Sequence, residues 1–67
     1  MLEYKGIKIP EKIIVLEPAS PYYLRTIELY LEEPWQGASE KVFKIKDSGD
    51  DWYWPEDIVR LKYEEIV

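Results

Sequence analysis

Apolar residues recur at every second position in several short stretches of this chain, separated by Gly, Pro, Asp or Ser, which predicts a succession of short β-strands. Leu2, Tyr4, Ile7 and Ile9 alternate with charged residues around Lys5-Gly6, a pattern that fits a tight hairpin or one strand with a glycine irregularity. After Pro10, the β-branched run from Lys12 to Glu17 is short enough for a buried strand, and Glu17-Pro18-Ala19-Ser20-Pro21 forces a loop. Phe43 and Ile45 alternate with Lys44 and Lys46, so one side faces a core and the lysines face water. Asp47 to Asp51 forms a turn, Trp52 and Trp54 share one face with Tyr53 on the other, and Pro55-Glu56-Asp57 starts a short helical turn. Ile58 and Leu61 then return to the core.

One segment admits two readings. From Tyr22 to Glu33, Ile27, Leu29 and Leu31 share one face of a strand while Thr26, Glu28, Tyr30 and Glu32 share the other. The same residues form a helix over 21–33 if Ser20 caps it, Pro21 opens it, Leu24, Ile27 and Leu31 make its apolar stripe and Pro34 ends it. The strand reading gives a mostly β protein, and the helix reading an α+β one.

Composition narrows the picture. A chain of 67 residues forms one domain, 1–67, and a domain of this size buries only roughly 60% of the surface its unfolded chain exposes. Without Cys or His, neither a disulfide nor the common zinc ligand sets can supplement a thin core, and no cofactor is expected. The ten aromatic side chains exceed what such a core hides, so some are expected at the surface. The net charge of −5 opposes non-specific attraction to nucleic acid or anionic membrane and suits a protein partner with a basic surface. No signal peptide or membrane-spanning run is evident, which points to the cytoplasm. The absence of Asn, a single Gln and abundant Glu, Lys and Ile lean toward a thermophile.

Two stretches resemble the small SH3-like barrels that include KOW-type and tudor-like modules. Val15-Leu16-Glu17-Pro18-Ala19-Ser20-Pro21-Tyr22-Tyr23 is similar to a first strand leading into a long loop. Asp50-Asp51-Trp52-Tyr53-Trp54-Pro55-Glu56-Asp57-Ile58-Val59-Arg60-Leu61 is similar to a closing strand, short helical turn and last strand. The chain departs from that pattern at Leu24-Arg25-Thr26-Ile27, where many such modules carry glycines. The resemblance implies a barrel of about five strands with a helical turn near residues 55–58, serving as a binding module and not as an enzyme.

Three groups of residues carry candidate chemistry. Tyr22, Tyr23, Trp35, Trp52 and Trp54 fall in regions that, by the resemblance, lie near one rim of the barrel, where aromatic side chains bind a peptide or a cationic group. The bland alternative packs Trp52 or Trp54 into the core, while Trp35, between Pro34 and Gln36-Gly37, is expected to be exposed. An acidic group of Asp47, Asp50, Asp51, Glu56 and Asp57 lacks the alternating ligand pattern of a calcium loop, but Asp50 and Asp51 suit a basic partner. Lys41, Lys44, Lys46, Arg60 and Lys62 would make a stripe for phosphates if their strands were adjacent. Ser20, Thr26, Ser39 and Ser48 have no His to activate them, so catalysis has little support. The leading expectation is a non-catalytic protein-interaction module, an accessory subunit or an acidic inhibitor of viral or mobile-element type acting on a nucleic-acid-handling machine. The alternative is a KOW-like or tudor-like module that contacts nucleic acid or nucleoprotein.

Overall fold

A computed structural model describes residues 1–66, and it is mostly β. The chain opens with β1 (Leu2–Tyr4) and β2 (Ile7–Ile9), followed by β3 (Lys12–Val15), β4 (Thr26–Glu32), β5 (Val42–Ile45) and β6 (Trp52–Tyr53). A single turn of helix, α1 (Pro55–Ile58), leads into β7 (Tyr63–Glu65). β1 and β2 form a separate two-stranded ribbon, and the other strands form a five-stranded antiparallel sheet in the order β6-β5-β4-β3-β7.

The ambiguity at Lys5-Gly6 resolves as a two-residue hairpin. Both residues have positive φ, 52° and 79°, the backbone of a turn whose twist matches the flanking strands. Tyr4 and Ile7 close the ribbon, and Ile9 beyond them is fully buried. Two polar contacts tie the hairpin to the loop before β5: the backbone N–H of Lys41 donates to Tyr4 Oη at 3.0 Å, and Lys5 Nζ lies 2.7 Å from Glu40 Oε2.

Between Tyr22 and Glu33 the strand reading holds. Leu24 adopts φ 62°, which ends any right-handed helix begun at Pro21. β4 then runs between two partners, its first half pairing with β3 (Lys12↔Glu28 to Ile14↔Thr26) and its second with β5 (Leu29↔Ile45 to Glu32↔Val42). With ladders on both sides, period-2 burial of Ile27, Leu29 and Leu31 outweighs the helical stripe. Because β4 changes partner at its midpoint, the sheet folds over and encloses Ile9, Ile13, Val15, Ile27, Leu29, Phe43, Ile45 and Ile58. No sheet closes into a barrel: among the described residues β6 and β7 remain the two edges of the ladder.

The helical turn expected near 55–58 is α1. Pro55 occupies its first turn, where a missing N–H costs nothing, and Glu56 and Asp57 sit at its positive end. Pro55 and Ile58 are buried, so this turn closes one end of the core.

Candidate functional site

Strand register decides which aromatic rings face outward. Phe43 pairs with Tyr53 and Lys44 with Trp52, so Tyr53 shares the core side with Phe43 and packs against the core. Trp52 shares the outer side with Lys44. The expectation that Trp52 or Trp54 packs in the core is therefore corrected: both are half-buried and lie outside the core cluster. With Tyr53 turned toward Phe43, alternation turns both indoles to the opposite side of the strand, and the core cluster consists of Phe43 and aliphatic residues.

On the outer side the three tryptophans stand edge to face. Trp54 lies 6.1 Å from Trp35 at 75° and 6.3 Å from Trp52 at 90°, measured between ring centroids and planes. These geometries match the favoured arrangement of ring quadrupoles. Trp35, in the loop between β4 and β5, is 57% exposed, as its neighbours suggest. Val42, fully buried yet outside the core cluster, falls on the same side of β5 as Lys44 by strand alternation. A cross-strand row extends the patch, since Tyr30 pairs with Lys44 and Lys44 with Trp52, and Tyr30 is itself exposed. An open groove of about 570 Å³ runs beside Trp35, bordered by Glu32, Glu33, Pro34, Lys41 and Lys44.

Tyr22 packs against the core and meets Trp52 at the edge strand β6. Its hydroxyl donates to Asp51 Oδ2, its backbone N–H donates to Ser20 Oγ at 3.0 Å, and the Arg25 guanidinium lies 5.7 Å above its ring. The bond to Asp51, helped by desolvation, raises the phenol above its ordinary pKa. Tyr22, Trp52 and Tyr53 line a groove of about 260 Å³ that also touches Asp51. Tyr23 is exposed, bridges to Val15 on β3, and enters none of the tryptophan ring pairs. The structure thus joins Trp35, Trp52 and Trp54 directly, and links Tyr22 to them through Trp52 and Asp51. Asp50 is exposed on the same turn as Asp51.

The basic residues are not brought into one stripe. Lys44 does not point into water as its alternation suggests: its side chain is only 15% exposed, with Nζ 3.2 Å from Glu32 Oε2 and 6.0 Å from the Trp52 ring centre. Lys46 and Lys12 both reach Glu28, each at 3.5 Å. Arg60 and Lys62 precede β7, which is separated from β5 by β4 and β3. Among the described residues no cluster of acidic side chains has the arrangement to hold a metal ion, and no helix is long and apolar enough to cross a membrane.

Tyr30, Glu32 and the stacking of Lys44 escape a reading of the sequence alone. Alternation places Tyr30 on the polar side of β4, but only the register with β5 and β6 brings it into line with Trp52. Comparison with family models, with curated proteins and with solved structures finds no match to this chain.

Proposed function

We propose that the chain is a non-catalytic protein-interaction module of SH3-like architecture, and that its partner surface is the outer face carrying Trp35, Trp52 and Trp54. One observation carries this reading: three indoles form a contiguous cluster outside the core, with one of them more than half exposed. A domain with so little interior gains most by burying such rings internally, and exposed Trp and Tyr are the side chains that most often anchor protein interfaces. The SH3-like architecture is supported by the order of elements: a first strand, a long loop, three further strands, a helical turn and a last strand returning beside the first.

Charge specifies the partner further. At the groove beside Trp35, Lys41 offsets Glu33 and Lys44 is paired with Glu32, while Asp50 and Asp51 are exposed on the turn before β6, so this acidic turn and the net charge of −5 are what favour a basic partner. A nucleic-acid-handling protein fits this description, with the acidic module acting as its accessory subunit or inhibitor. The nucleic-acid module is the weaker reading, because Lys44 and Lys46 already face glutamates and lie apart from Arg60 and Lys62.

Affinity capture from nuclease-treated host lysate tests the reading, with the native chain compared with Trp35→Ser and Trp54→Ser. The expected result is a nuclease-resistant set of basic proteins retained by the native chain and lost by both variants. Equal capture by all three would remove the tryptophan face from the account. Partners that disappear with nuclease treatment would favour the nucleic-acid module instead.

A further inference from the structure

The ten residues from Pro18 to Ile27 contain no acidic side chain, the longest such run in a chain that carries 14 carboxylates. Within it, Tyr23 is 44% and Leu24 58% exposed, and Arg25 is exposed beside them. The backbone here is well tied down. Tyr23 N–H donates to Ser20 O at 3.1 Å, Leu24 N–H to Val15 O at 2.7 Å, Arg25 N–H to Tyr22 O at 2.9 Å and Val15 N–H to Arg25 O at 3.1 Å.

Leu24 stands in a left-handed conformation, φ 62°. The other non-glycine residues with positive φ have evident reasons: Lys5 belongs to the hairpin turn with Gly6, and Asp47 is a short polar residue in a turn. Leu24 has no such reason. Its bulk makes this backbone unfavourable, its side chain is not part of the core cluster, and its hydrogen bond uses only main-chain atoms that Asn or Gly would supply equally. Folding alone would favour Gly, Asn or Asp at this position. What leucine adds there is an apolar side chain held rigidly outward.

We propose that Tyr23 and Leu24 form a second docking point, a knob that enters an apolar socket on a partner protein, with Arg25 meeting a carboxylate at the socket's rim. The local charge argues for that rim, because Arg25 enters no ion pair among the described residues and the groove it lines holds three cationic side chains, Lys12, Arg25 and Lys46, against the two carboxylates of Glu28 and Asp47. The socket is thus distinct in sign from the basic surface that suits the tryptophan face. The inference shares with the proposed function only the premise that the chain works through contact with another protein.

Leu24→Asn separates contact from folding because it moves the two readouts in opposite directions. Asn tolerates the left-handed region, so thermal denaturation of the full chain should show a Tm about 4 °C higher, on the scale of a relieved left-handed leucine in a domain of this size. In the same nuclease-treated lysate, recovery of at least one protein retained by the native chain should fall at least tenfold, a loss that unfolding cannot explain. A lower Tm, or undiminished recovery of every retained protein, would overturn the proposal. Co-sedimentation with phosphatidylcholine–phosphatidylglycerol vesicles that depends on Leu24 would also overturn it, by assigning the knob to a lipid surface. Trp35→Ser, run alongside, distinguishes the two surfaces: if every retained protein is kept by Trp35→Ser while at least one is lost by Leu24→Asn, the knob is upheld and the tryptophan face dismissed.

Discussion

Tyr22 illustrates how one side chain joins loop, turn and surface. Its hydroxyl bonds to the Asp51 carboxylate, across 29 positions of sequence, and so pins the long loop after β3 to the turn before β6. Tyr22→Phe removes that bond and should cost about 0.5–1 kcal/mol at neutral pH, the lower part of the usual range because the bond faces solvent. The pH dependence follows from the raised phenol pKa. The folded state keeps the proton longer than the unfolded one, so the stabilisation is complete below the ordinary phenol pKa of 10.0 and is lost as pH rises through the higher folded value. Urea denaturation of native and Tyr22→Phe chains should therefore give midpoints that differ at pH 7 and converge in strongly alkaline solution. A difference that persists there would show that the stabilisation does not come from the protonated phenol's bond to Asp51. In the core, Phe43 is fully buried, and Phe43→Ala should cost about 3–5 kcal/mol. That loss is comparable to the whole stability of many small domains, so circular dichroism should show the variant largely unfolded.

At the scale of elements, the N-terminal ribbon covers one side of the core and is held by its own turn. Gly6 has φ 79° with open space around its missing Cβ, so Gly6→Ala would meet no clash and act through backbone strain alone. Its expected cost is about 1 kcal/mol, seen as a lower denaturation midpoint with the tryptophan face unchanged. Much of the element order was legible beforehand, since Phe43 and Ile45, the Asp47–Asp51 turn and the Pro55 helical turn follow from alternation and turn chemistry that are local in sequence. What local pattern left open was decided by partners. Residues 26–32 carry both periodicities, and strand won because β3 and β5 flank the segment on either side. The orientation of Trp52 and Trp54 was likewise undecided until pairing with β5 placed Tyr53 inward. The salt bridges of Lys44 and Lys46 to β4 glutamates depend on the same cross-strand register, which no single strand encodes.

Across the whole molecule, charge and aromatic exposure are arranged unevenly. Lys44 on β5 and Lys46 just after it are matched by glutamates of β4, whereas Asp50 and Asp51 on the turn before β6 and Glu33 beside Trp35 are exposed. For the basic partner proposed above, the net charge of −5 would act mainly on encounter, where long-range attraction raises the association rate more than it slows dissociation. Asp50→Asn combined with Asp51→Asn should lower the association rate by about two- to fivefold in low salt, and the effect should fade as added salt shortens the screening length to about 10 Å or less. Surface plasmon resonance with the captured partner reads both, and an association rate indifferent to the two substitutions would remove the acidic turn from the encounter surface.

The central claim is that the indoles of Trp35 and Trp54 are covered by a partner protein. Hydroxyl-radical footprinting of the native chain, free and in its purified nuclease-resistant complex, measures that directly. The account predicts rapid oxidation of Trp35 in the free chain and strong protection of Trp35 and Trp54 in the complex. Equal oxidation of both residues in the two states would contradict it.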